Sequence, residues 1–118
     1  LRERYDAGDP EVVAAMTRFA QLARESSAAL ASGDTERLHG LIDANYDTRA
    51  SICRLPSRHV AMVEAARSVG ACAKFAGSGG AIVGICADDE TFNRLEQVLA
   101  RLDCRVLTPR IAPPRPSR

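Results

Sequence analysis

The segment Gly77-Ser78-Gly79-Gly80 restricts the fold more than any other part of the chain. Three glycines in four residues weaken a helix or strand, since glycine loses the most backbone freedom on ordering and has no side chain to pack. What they accept readily is positive φ, which tight connections need. Short apolar runs flank the segment, Ala71–Phe75 before it and Ala81–Cys86 after it. The second is almost wholly apolar, as a buried central strand is. The pattern predicts two short antiparallel strands joined by the glycine connection. Lys74, just upstream, is the only lysine in a chain of 118 residues with 16 basic ones; its ammonium is a compact charge on a flexible stem, unlike a planar guanidinium.

Helix signals surround this hairpin. Asp9-Pro10-Glu11 supplies a capping acceptor, a proline for the first turn and an acid at the positive dipole end. Val12, Met16, Phe19, Ala23 and Leu30 follow at helical spacing until Gly33, and Asp34 caps a second helix over about Thr35–Cys53. So short a link predicts an antiparallel helical hairpin. Leu55-Pro56-Ser57 is a break, with Ser57 placed to cap a third helix carrying Val60, Met62, Val63, Ala66 and Val69 up to Gly70. Asp88-Asp89-Glu90 reads as capping and dipole compensation for a last helix, Glu90–Leu102, with Phe92, Leu95, Val98, Leu99 and Leu102 on its apolar side. Cys104–Ile111 is read as a third strand and 113–118, rich in proline, as a frayed tail. The fold class is α+β: one domain over residues 1–112, a small antiparallel sheet covered on one face by helices. Three strands leave an exposed edge, which a neighbouring domain or strand normally covers.

Composition narrows the function classes. A net charge of +1 with both signs interspersed, and only two tyrosines and three phenylalanines, argue against a nucleic-acid partner. No apolar run approaches the roughly 18 residues of a membrane span, and the charged start lacks the apolar core of a secretory signal, so no membrane partner and a cytoplasmic setting are expected. Cys53, Cys72, Cys86 and Cys104 have no metal-binding spacing; they read as reduced core thiols, and no metal site is expected. His39 and His59 are solitary and read as surface or satisfied side chains, and no Ser/His/Asp or Cys/His arrangement can be argued from spacing.

Two constellations remain. The glycine segment can be a plain turn, or it can let backbone amides approach a phosphate, with the Ser78 hydroxyl and the Lys74 charge beside it. It is not a Walker motif, because no Gly-Lys-Ser/Thr follows and a strand comes next. In the second helix, Leu38, Leu41, Ile42 and Ile52 define an apolar stripe with Asn45 and Arg49 in its middle. Polar groups there either bond neighbouring backbone or face a polar cleft, and the cleft is the reading favoured here. Asp47, on the opposite side, reads as a solvated surface residue.

The segment Val69-Gly70-Ala71-Cys72-Ala73-Lys74-Phe75-Ala76-Gly77-Ser78-Gly79-Gly80-Ala81 resembles the third, C-terminal motif of the GHMP kinases, which phosphorylate galactose, homoserine, mevalonate and related alcohols. Its Lys-Phe-x-Gly-Ser-Gly-Gly-Ala form is most similar to that of glucuronokinase-like sugar kinases. The likeness extends upstream through Gly8-Asp9-Pro10-Glu11-Val12, Leu41-Ile42-x-x-Asn45-Tyr46-Asp47-x-Arg49 and Met62-Val63-Glu64-x-Ala66-Arg67, and ends near Cys86. The resemblance implies the ferredoxin-like C-terminal domain of a two-domain kinase whose catalytic residues and main sites for ATP and Mg2+ belong to an N-terminal domain outside these 118 residues. It implies that Gly77, Ser78, Gly79 and Gly80 shape the phosphate region with Lys74 beside them. Asn45 and Arg49 would face a sugar or sugar-acid substrate. Two departures stand out. No second glycine/serine loop occurs here, so the chain by itself is expected to be inactive, and Ala76 replaces the threonine or serine of many relatives. The rival expectations are a non-catalytic ligand-binding or regulatory module, and a GHMP kinase for a non-sugar alcohol such as mevalonate.

Overall fold

The computed structural model describes residues 1–113 and 115. It opens with a five-residue helix, α1 (Arg2–Asp6), that no periodicity announces. Side-chain bonds tie its end to the rest: Arg4 Nε donates to Asp9 Oδ2 at 3.0 Å and Arg4 Nη1 to the Ile52 carbonyl at 3.0 Å. The next helix, α2 (Pro10–Ser32), begins as its sequence dictates, with Asp9 Oδ1 accepting from the Glu11 amide and proline in the first turn. Gly33 ends it at φ 70°, a left-handed cap open to glycine at little cost. Asp34 then caps α3 (Thr35–Ile52) by accepting from the Arg37 amide at 3.1 Å. The two helices fold back on each other as a hairpin, with Val12, Ala15 and Ile52 buried between them and Met16, Phe19 and Cys53 packed around.

The buried stripe of α2 differs from the expected one. Val12, Ala15, Leu22 and Ala29 face the core, whereas Ala23 and Leu30 are exposed. Steps of three and seven residues keep these four to one helix face; Leu30 lies at the same helical angle as Val12, five turns on, so its exposure comes from its place near the end of the helix and not from its angle. The third helix, α4 (Ser57–Ser68), also starts differently. Pro56 takes the capping position and its carbonyl accepts from the His59 and Val60 amides, so Ser57 is the first helical residue and makes no side-chain cap. Met62, Val63 and Ala66 are the buried residues of α4.

The hairpin is present but short. Strands β1 (Lys74–Phe75) and β2 (Ile82–Val83) pair antiparallel, Lys74 opposite Val83 and Phe75 opposite Ile82. Hydrogen bonds from the Ala76 amide to Ala81 and from the Cys72 amide to Ile85 extend the pairing at both ends. Regular geometry stops at Gly84, where any Cβ would run into the Cys72 carbonyl; the two backbones approach too closely there for a side chain. Helix α5 (Asp89–Ala100) follows, with Asp88 Oδ1 accepting from the Thr91 amide at 2.8 Å as the cap and Asp89 and Glu90 in the first turn, as expected. Leu99 is its buried residue.

Cys104–Ile111 is not a strand. It runs without a paired neighbour, with Leu107 and Ile111 exposed, so the described sheet has two strands. A strand needs a partner for its backbone groups, and alternation in sequence cannot supply one. Of the tail expected at 113–118, Pro114 and residues 116–118 lie outside the described residues. The main core joins sheet to helices: Tyr46, Val63 and Ala66 pack on Ala71, Ala73 and Phe75, with Leu55, Ile82, Cys86 and Leu95 at the margin. Full burial of Val63 and Phe75 contributes about 1.5–3 kcal/mol each. The α+β class, with helices over one face of a small antiparallel sheet, is as the sequence implies. No described helix is long and apolar enough to cross a membrane.

Candidate functional site

The glycine connection and α3 meet. Arg49 Nη1 donates to the Gly77 carbonyl at 2.9 Å and Nη2 to the Ser78 carbonyl at 3.1 Å. Its guanidinium also lies over the Phe75 ring, 5.0 Å from the centroid, a favourable cation–π placement. Of the two alternatives for a polar group in the α3 stripe, Arg49 takes the backbone one, and that backbone is the candidate loop. Gly77, Gly79 and Gly80 adopt φ of 71°, 127° and 84°. The loop is closed by the Ala76–Ala81 bond, and among the described residues the amides of Gly77, Ser78, Gly79 and Gly80 have no hydrogen-bond partner. Successive backbone amides without partners are the groups from which a backbone anion site is built.

The charge of Arg49 is unanswered. Among the described residues no carboxylate lies within ion-pair distance of it. Arg67 on α4 is the opposite case. Its Nη1 pairs with Asp47 Oδ1 at 2.9 Å, its Nη2 donates to the Asp43 carbonyl at 3.1 Å, and its Nε lies 3.3 Å from Asp43 Oδ1 without hydrogen-bond geometry. Asp43 Oδ1 in turn accepts from the Ala73 amide at 3.2 Å, and the Arg67 guanidinium lies over the Tyr46 ring. Burial works to lower the Arg67 pKa, but the bond to Asp47 and the charge of Asp43 outweigh it and hold the value above the ordinary one. Burial pushes the Tyr46 phenol up, with the Arg67 charge opposing. Asp47, expected to be simply solvated, is exposed yet paired.

The other predicted residues fall at different distances from this centre. Asn45 lies one turn before Arg49 on the same face of α3, half-buried, with no side-chain hydrogen bond among the described residues. Lys74 is half-buried in β1, where strand alternation turns it to the face opposite Phe75. It is therefore beside the loop in sequence and not grouped with Arg49. His59, read from sequence as solitary, packs edge to face on Phe75 with centroids 5.7 Å apart and lies against Gly79. No spacing rule signals that contact, because it joins α4 to a loop twenty residues on. His39 Nε2 bonds the Gly70 carbonyl at 3.2 Å, a satisfied histidine.

The four cysteines are free, and Cys72 is buried with its thiol pKa raised by that burial. Two recesses lie away from Arg49: an open one of about 580 Å³ between α2 and α3, and an apolar one of about 550 Å³ between the hairpin, α5 and Cys104–Pro109. Neither recess is lined by Arg49 or by Gly77–Gly80. Among the described residues no group of three or more His, Cys, Asp or Glu is placed to hold a metal ion.

Comparison with known proteins first defines the class. A solved structure, L. major mevalonate kinase in complex with R-mevalonate, matches 84% of this chain and 32% of its own length with a TM-score of 0.72 at 23% identity; the chain shares the fold of that portion. Two Arabidopsis thaliana proteins then match by sequence. Probable glucuronokinase 2 is 40% identical over 75% of this chain and 25% of itself, and glucuronokinase 1 is 38% identical over the same shares. No family model matches. With motif, fold and relatives in agreement, the chain belongs to the GHMP kinase family, in the part that forms the C-terminal domain. It spans about a quarter of the length of these curated relatives.

Proposed function

We propose that this chain is the C-terminal domain of an ATP-dependent kinase for a sugar or sugar acid, of the glucuronokinase type. The observation that carries the reading is Arg49: a guanidinium with no carboxylate partner among the described residues, held on two carbonyls of a loop whose four amides have no partner there. A run of such amides beside an uncompensated cation attracts the charge that develops on a transferring phosphoryl group. Such transfer needs positioning and charge stabilisation more than covalent chemistry, so one domain can contribute with few side chains.

In this reading Gly77, Ser78, Gly79 and Gly80 receive phosphate oxygens, and Arg49 holds the carbonyls of Gly77 and Ser78. Asn45, one turn along α3, offers its amide to the acceptor. Lys74, on the other face of β1, adds positive charge near the loop without touching Arg49. The acceptor hydroxyl attacks the γ-phosphorus, the bond to the β,γ-bridging oxygen breaks, and ADP leaves. The magnesium ion, the general base and most of the ATP contacts belong, in this reading, to a partner N-terminal domain of the same protein. The 25% share of each plant relative supports that division.

An ADP-release assay of the full-length protein against sugars, uronic acids and mevalonate tests the reading. Turnover on a sugar or uronic acid is expected, and turnover on mevalonate alone overturns the substrate class. That second acceptor is kept because the solved structure matched here is a mevalonate kinase. No turnover on any alcohol leaves a non-catalytic ligand-binding module.

A further inference from the structure

The loop has a second support that the phosphate reading does not use. His59 is the third residue of α4, and its half-buried ring lies against the connection from a different helix than Arg49. A Cβ built on Gly79 would stand 3.0 Å from His59 Nδ1 and 3.2 Å from Cε1, and one on Gly80 would stand 4.0 Å from Nε2. Both ring nitrogens therefore lie along Gly79 and Gly80, two of the residues whose amides are unclaimed. The ring cannot easily retreat, because its edge-to-face contact with Phe75, at an interplanar angle of 81°, seats it on the same aromatic that carries Arg49. Neither ring nitrogen has a hydrogen-bond partner among the described residues, unlike His39, whose Nε2 bonds Gly70. A purely packing role would be met by any flat ring. A histidine here adds hydrogen-bonding nitrogens beside the unclaimed amides.

We propose that His59 is a further residue of the phosphate site: its imidazole braces the Gly79–Gly80 turn and offers a ring nitrogen to the anion that the loop amides receive. This rests on the phosphate-loop reading above. Two consequences separate it from packing alone. Gly79 must lack a side chain for two reasons, its φ of 127° and the space taken by His59, so substitutions at 79 and 59 are coupled. The affinity for a phosphate chain depends on the nitrogens and not only on the ring.

The test uses the full-length protein, with inorganic tripolyphosphate as calorimetric probe and the KM for ATP beside it. His59→Phe keeps an aromatic edge on Phe75 and removes the nitrogens; His59→Gln keeps a hydrogen-bonding group. His59→Phe is expected to weaken tripolyphosphate binding and raise the KM about tenfold, with kcat changed less than about twofold, and His59→Gln to recover most of the loss. Gly79→Ala is expected to harm binding less in a His59→Ala background than alone. Wild-type affinity in His59→Phe overturns the proposal. If Arg49→Ala and Gly79→Ala also leave both readouts unchanged, the phosphate-loop reading itself fails; if they weaken binding and His59→Phe does not, only the role of His59 falls. The imidazole 15N shifts of His59 in the unsubstituted protein answer without a variant: they move on adding tripolyphosphate, or His59 is not a contact.

Discussion

Arg49 and Arg67 occupy matching settings and are treated oppositely by the fold. Each guanidinium lies about 5 Å from an aromatic centroid, Phe75 for one and Tyr46 for the other, and each donates to backbone carbonyls across an element boundary. The difference is in the carboxylates. Asp43 and Asp47 neutralise Arg67 and, through Asp43 and the Ala73 amide, lock α3, α4 and the approach to β1 together. Among the described residues Arg49 meets carbonyl oxygens and an aromatic ring but no carboxylate, so its charge is not neutralised beside the loop. The charge of one arginine is answered within the fold, and that of the other is not.

That contrast can be broken most directly by removing each cation in the full-length protein. Arg49→Ala is expected to cut turnover about a hundredfold, the scale seen when a group stabilising transition-state charge is lost, with the melting temperature nearly unchanged. Equal turnover would return Arg49 to a loop-packing role. Arg67→Ala should do the reverse, costing about 2 kcal/mol in denaturant unfolding by stranding Asp43 and Asp47, a value reduced from that of a fully buried pair because the cluster is part-exposed. Arg49→Lys sharpens the comparison: an ammonium keeps the charge but cannot fork to two carbonyls, so about a tenfold loss is expected, between wild type and alanine.

Smaller effects probe the frame around both arginines. Asp9 is held below the ordinary carboxylate value of 3.8 chiefly by its bond from Arg4, and Asp88 chiefly by the Thr91 amide. Because these folded-state values are lowered, their stabilisation is complete above the unfolded value and is lost as pH falls through the lowered ones. A melting temperature that declines below about pH 4, with Asp88→Asn flattening part of the decline, is the expected outcome. Smallest of all, Cys72 should be the slowest of the four thiols to alkylate at neutral pH, since burial both shields it and keeps it protonated. Mass spectrometry of a timed iodoacetamide reaction reads this directly.

What the sequence made legible was local. Asp9, Gly33, Asp34 and Asp88 mark helix ends by chemistry acting within a few residues, and the structure uses all four as caps. The intrusion of Asn45 and Arg49 into an apolar stripe is likewise visible in one helix. What joins Arg49 to Gly77 spans 28 residues, and no periodicity encodes that distance. His59 was missed for the same reason. Helix α1 escaped because five residues carry no pattern, only the reach of Arg4 to Ile52. The third strand failed differently: Cys104–Ile111 has the composition of a strand, but pairing is a property of two segments.

The position of Lys74 has a practical consequence. Within these 118 residues it is the only side-chain amine, half-buried in β1 and turned away from Phe75. Among the side-chain amines of these 118 residues an acylating reagent therefore finds one target, adjoining the glycine connection yet clear of Arg49 and His59. A fluorophore at that position would register ordering of the connection without occupying the ground where a phosphate would rest.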